Sequence, residues 1–116
     1  MRIAVLAADL LFGSQAVEIV QAAGYDGVVA ADLDALTAVD AEEPVDAIVV
    51  DLTSNGVERA EDLADARPPG VPVLACFAHV EPEVRSAALD AGLDQVVPRS
   101  RFVREGGDLL AALLAD

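Results

Sequence analysis

The sequence has 116 residues, 54% of them hydrophobic, with 21 acidic and 7 basic side chains and a formal net charge of −14. That length fits one domain over residues 1–116, and that apolar share fills one core, which excludes a disordered chain. So acidic a surface repels phosphate backbones and anionic lipids, which excludes nucleic acid and membrane as expected partners.

Residues 2–7 form a compact apolar run of β type. Asp9 stands where a helix N-cap belongs, and helical spacing then runs to about residue 23, with Gly24 as the stop. Residues 26–31 are the second strand. Residues 32–43 are a short helix with Leu33, Leu36 and Val39 on one face, stopped by Pro44. Residues 45–50 are the third strand, ending at Asp51. Residues 56–66 form an acidic helix with Val57, Ala60, Leu63 and Ala64 on one stripe, and the Arg-Pro-Pro-Gly turn at 67–70 closes it. Residues 71–76 are the fourth strand. Residues 81–91 are a helix with Pro82 in its first turn and Gly92 after its end. Residues 94–97 are the fifth strand. The last helix is expected from about residue 101, or only from 108 if Gly106 and Gly107 interrupt it. Two such glycines cost about 2 kcal/mol of helix propensity relative to alanine.

Five near-continuous apolar strands alternating with five helices predict an α/β fold. It is a doubly wound, five-stranded parallel sheet with both faces covered. Ligands on such a sheet bind beyond the carboxyl ends of the strands. No GxGxxG and no GxxxxGK[ST] stands there. Ser14 lies outside any nucleophile elbow, and the single histidine, His79, has no evident Ser or Cys partner. One cysteine, Cys76, excludes an internal disulfide and is too few for a zinc site; inside an apolar strand it reads as a buried small hydrophobe. With no Trp and 3% aromatics there is no stacking platform for bases or sugars. No apolar run reaches the roughly 18 residues of a membrane span. No charged-then-apolar leader opens the sequence, so a cytoplasmic location is expected. No enzymatic activity is expected.

Four segments together resemble the receiver domain of two-component response regulators, the CheY-like family, over essentially the whole sequence. MRIAVL at 1–6 resembles the family's first strand. DAIVVDL at 46–52 resembles the segment holding the phosphoacceptor aspartate. VPVLACFAH at 71–79 resembles the fourth strand and its turn. AGLDQVVPRS at 91–100 resembles the AGADDYLxKP segment, and the spacing from Phe77 to Arg99 matches without a gap. The resemblance implies a flavodoxin-like sheet of receiver topology with Asp51 at the phosphoacceptor position.

The sequence departs from the family at the other site positions. Ala7 and Ala8 stand where two acids hold Mg²⁺. Phe77 replaces the Thr or Ser that contacts the phosphoryl group, and Arg99 replaces the lysine, with Ser100 in place of the following proline. Ser54 and Asn55 replace the Met-Pro pair after the phosphoacceptor. Phosphoryl transfer to a carboxylate gathers several negative charges, which a divalent cation and a positioned lysine offset. Magnesium takes near-octahedral oxygen ligands, and Asp51 beside two alanines supplies few. No cofactor is therefore expected. Arg99 is expected to form a fixed salt bridge to Asp51, because a partly buried Asp requires a partner. Asp9, one residue beyond the acid pair, is an auxiliary candidate, as a helix cap or, with the turn displaced, a metal ligand. His79 is the other auxiliary candidate, as a loop residue, ligand or phosphate acceptor.

The expected function is a degenerate receiver-like module that binds a protein partner of a signalling pathway, or itself as a homodimer, without phosphorylation. By the resemblance, its surface is the fourth helix, fifth strand and fifth helix, where Arg85, Arg101 and Arg104 lie among Glu83, Asp90 and Asp94. Mixed signs on one patch suit a two-fold contact. One alternative is an atypical active receiver, phosphorylated at Asp51 by a histidine kinase and requiring Mg²⁺. Another is a flavodoxin-like small-molecule-binding domain, because this architecture hosts many functions. The last helix runs to the end of the sequence at Asp116, so output is expected through a separate protein, or the domain is a fragment of a longer system.

Overall fold

The structure is a computed structural model and describes residues 1–53, 55–78 and 81–115. Five strands, β1 (Arg2–Leu6), β2 (Asp26–Ala30), β3 (Ala47–Asp51), β4 (Val73–Phe77) and β5 (Gln95–Pro98), alternate with five helices. These are α1 (Leu10–Ala22), α2 (Leu33–Glu42), α3 (Gly56–Ala66), α4 (Pro82–Asp90) and α5 (Arg99–Leu114). All pairings are parallel, in the order β2-β1-β3-β4-β5. This is the doubly wound sheet that the sequence predicts. The strand order reverses between β1 and β3, so the carboxyl ends of these two strands flank a crevice.

The sheet separates two apolar layers through the two-residue period of its strands. On β1, Ile3 and Val5 face one layer while Ala4 and Leu6 face the other. Helices α1 and α5 cover the first layer with Phe12, Ala16, Val20, Phe102 and Leu110. Helices α2, α3 and α4 cover the second with Leu36, Ala60, Leu63, Val84 and Ala88. β3 and β4 are buried at every position. Edge strand β2 corrects the expectation of full cover: it pairs only with β1, and Val29 stays 38% exposed.

Local chemistry sets the ends of α1. The Asp9 carboxylate accepts from the N–H groups of Leu11 at 3.0 Å and Phe12 at 3.2 Å. At the other end Gly24, at φ +94°, donates to the Gln21 carbonyl, and Tyr25 donates to the Val20 carbonyl. This is a Schellman ending, and its left-handed residue favours glycine.

The third, fourth and fifth strands lie one or two residues later than the apolar runs suggest, which puts Asp51 and Phe77 inside the sheet as strand-terminal residues. The last helix also differs from expectation: α5 begins at Arg99, directly after β5, rather than near 101 or 108. The backbone leaves helical geometry only at Glu105, at φ −124° and ψ 16°, and the helix resumes beyond it. A Cβ at Gly106 would run into the Ile19 side chain of α1, so the two helices approach through that glycine. Burial of Phe102, Leu109, Leu110 and Leu113, at about 1.5–3 kcal/mol for each side chain, outweighs the propensity cost of the glycine pair.

Candidate functional site

The crevice between β1 and β3 gathers residues from three elements. Asp51 closes β3, Asp9 caps α1, and Arg99 opens α5. Asp51 is buried, 5% exposed. Its Oδ2 accepts from Arg99 Nη2 at 2.5 Å, and its Oδ1 accepts from Arg99 Nε at 3.3 Å and from the Thr53 backbone N–H at 3.1 Å. The same Nη2 donates to Asp9 Oδ2 at 3.3 Å, while Asp9 Oδ1 caps α1. The Arg99 guanidinium also lies over the Phe12 ring, 4.3 Å from its centroid. One planar cation thus joins two carboxylates and an aromatic face. A planar fork serves this geometry in a way that a lysine ammonium does not.

The charges tune one another. The Phe12 N–H bond holds the Asp9 carboxyl below its ordinary value, against a smaller opposing effect of burial, and Arg99 and the Leu11 N–H add to the lowering. Burial works against the charge of Arg99, but the hydrogen bonds and charges of Asp51 and then Asp9 more than offset it and raise the guanidinium. Cys76 pairs in register with Asp51 across β3 and β4. Burial, and then the charge of Asp51, push its thiol far above the ordinary range, with Arg99 opposing.

Ala7, Ala8 and Phe77 supply no side-chain oxygen. Ala7 is fully buried, and its N–H donates to the Ala30 carbonyl; Ala8 is exposed. Phe77 is 6% exposed at the end of β4 and offers no hydroxyl. Ser54 and His79 lie outside the described residues. A divalent cation needs several oxygen donors converging on one point. Here the two carboxylates of the crevice converge on a guanidinium instead. Among the described residues, no group of three or more His, Cys, Asp or Glu is placed to hold a metal ion. This donor set does not fit Mg²⁺.

Two partners of this site escape sequence reasoning, Phe12 and the Thr53 N–H. Phe12 has one local signal, its place on the first buried turn after the Asp9 cap. On the expected interaction surface, Arg85, Arg101 and Arg104 are exposed. Arg101 and Arg104 both reach Glu105, at 3.4 Å and 3.6 Å. Asp94 is also exposed, and it is held in place. It pairs with Arg67 at 3.1 Å and accepts from the Val73 N–H at 2.8 Å, so it ties the start of β5 to β4.

Neither a protein-family model nor a curated protein sequence matches this chain. Solved structures do. A response regulator from Thermotoga maritima superposes with a TM-score of 0.87 at 14% identity, covering 99% of this chain and 98% of that one. A CheY-like response regulator receiver domain protein from Methanospirillum hungatei gives 0.81 at 21% identity, over 97% and 92% of the two chains. An orphan response regulator of H. pylori gives 0.80 at 16% identity, over 99% and 97%. The chain therefore has the fold of response regulator receiver domains, and at such identities the likeness is one of fold. No helix among the described residues is long and apolar enough to cross a membrane.

Proposed function

We propose that this protein is a receiver-fold interaction module of a signalling pathway, in which Asp51 is held by Arg99 and not switched by phosphoryl transfer. The observation that carries this reading is the two-point grip of Arg99 on both oxygens of a buried Asp51. A phosphoryl group would add a charge of about −1.5 to −2. The crevice already sets two carboxylates against one guanidinium, and among the described residues no second cation pairs with them to meet that added charge. The similar structures are those of response regulators, which supports a signalling setting. We assign no enzymatic reaction to the module and expect its output through contact with another protein chain.

The test is incubation with acetyl phosphate and Mg²⁺, read by intact mass. The proposal predicts no phosphoryl adduct, in the native chain or in Asp51→Asn. An adduct approaching one per chain, lost in Asp51→Asn, would establish the active-receiver alternative instead.

A further inference from the structure

The sequence holds a single asparagine, Asn55, and a glycine follows it. The fold requires each for its own reason. Asn55 precedes α3 at φ 52° and ψ 41°, the left-handed region that asparagine enters more readily than most residues with a Cβ. Gly56 opens α3 where that helix meets α4, and a Cβ there would lie 2.8 Å from the Val84 side chain. Turn geometry at one position and packing at the next thus place a side-chain amide beside a backbone nitrogen that no neighbouring Cβ shields.

We infer that Asn55 is a site of spontaneous deamidation in the folded protein. The Gly56 nitrogen loses its proton and attacks Asn55 Cγ. The new C–N bond closes a succinimide ring, while the Cγ–Nδ2 bond breaks and ammonia leaves. Water then opens the ring. Its attack at Cγ yields aspartate, and its attack at the main-chain carbonyl carbon yields isoaspartate, in which the chain runs through the former side chain. Three observations favour ring closure here. Asn55 is exposed, and its side chain makes no capping bond to α3, whereas Asp9 and Asp32 cap α1 and α2. The Gly56 N–H lies in the first turn of α3, where no helix carbonyl accepts it, and the positive end of the helix favours loss of its proton. The Asn55 carbonyl accepts from the Arg59 N–H at 2.9 Å, and release of that terminal bond lets the Asn55–Gly56 peptide turn toward the amide. Helix ends open at small cost.

Either product adds a negative charge to a groove where Asp32, Asp34, Glu58 and Asp62 already stand around Arg59. Isoaspartate also adds a backbone atom immediately before Gly56 and so shifts the contact of α3 with α4. The inference goes beyond the interaction-module reading and does not rest on it.

The test is prolonged incubation of the folded full chain at neutral and at mildly alkaline pH, with Asn55→Gln beside it. Glutamine keeps the amide but has to close a larger, slower ring. Samples from the start and the end are read by isoelectric focusing, by peptide mass, and by methyl transfer from a purified isoaspartyl methyltransferase. The native chain should pass into a more acidic species, faster at the higher pH. The peptide holding Asn55 should show NH₂ replaced by OH and should accept methyl groups, and Asn55→Gln should show neither change. Peptide mapping separates this from Asp26–Gly27 in β2, where the same ring gives isoaspartate with no change of mass. The native time course in buffer against denaturant decides the matter if glutamine disturbs the turn. An amide kept in the folded chain as long as in Asn55→Gln overturns the inference. So does amide loss confined to the chain in denaturant, or loss mapped to Gln15, Gln21 or Gln95 instead.

Discussion

Replacing Arg99 with methionine keeps an apolar stem and removes the guanidinium. Asp51 then loses two charge-assisted hydrogen bonds and keeps the Thr53 N–H, while its carboxylate remains 5% exposed. Breaking a buried ion pair from one side costs about 3–5 kcal/mol. The Arg99 side chain is itself 23% exposed, so water enters where it leaves and the lower end applies. Loss of the stack on Phe12 is worth about 1 kcal/mol within that figure. We therefore expect about 3 kcal/mol from denaturant unfolding, a large part of the ~5–15 kcal/mol that holds a typical domain. In thermal melts this corresponds to roughly 10 °C. Asp51→Asn should cost less, about 1 kcal/mol, because a neutral amide tolerates burial and Arg99 keeps Asp9. The double variant should be more stable than Arg99→Met alone, with a coupling of about 2 kcal/mol. A loss below about 1 kcal/mol for Arg99→Met, or strict additivity in the cycle, would refute the idea that this pair anchors the crevice.

Asp9 titrates low, so its contribution is fully present above the ordinary aspartate value of 3.8 and disappears as pH falls through its lowered folded value. Thermal melts below about pH 4 should therefore drop less steeply for Asp9→Asn than for the native chain, from a lower starting point. Gly106→Ala should destabilise the fold by about 1–3 kcal/mol, because its methyl group meets Ile19. Gly107→Ala has only Ala23 Cβ nearby, at 3.8 Å, and should stabilise α5 by up to about 1 kcal/mol in the same chemical melts. Cys76 is buried and its thiol is pushed far up, so iodoacetamide should label it slowly in the native protein and rapidly after unfolding. Fast native labelling would contradict its place in the core.

The fold is legible wherever burial is continuous. The runs at β1, β3 and β4 are apolar because both of their faces lie under helices, and their order with the helices leaves little choice of architecture. Legibility fails where a distant element decides. The glycine pair at 106 and 107 reads locally as an interruption, but the contact with Ile19 makes Gly106 a requirement of the α1–α5 packing. Asp94 reads as surface charge, yet it is held by Arg67 and the Val73 N–H. Asp9 is legible as a cap because capping is local chemistry, whereas its second oxygen finds Arg99 only once α1 and α5 lie side by side. Phe12 is hidden for the same reason. Spacing along the chain does not show that its ring lies beneath a guanidinium from the opposite end of the sequence.

The central claim is that the Asp51 crevice is closed by Arg99 to metal and phosphoryl groups alike. Its most direct test is an NMR titration of the labelled chain with millimolar Mg²⁺, followed by beryllofluoride, a mimic of the aspartyl phosphate. The account predicts no saturable shift at Asp51, Thr53 or Arg99 in either step. Saturable shifts at Asp51 and Arg99 that spread into α4 would contradict it and identify a working switch with a rebuilt metal site.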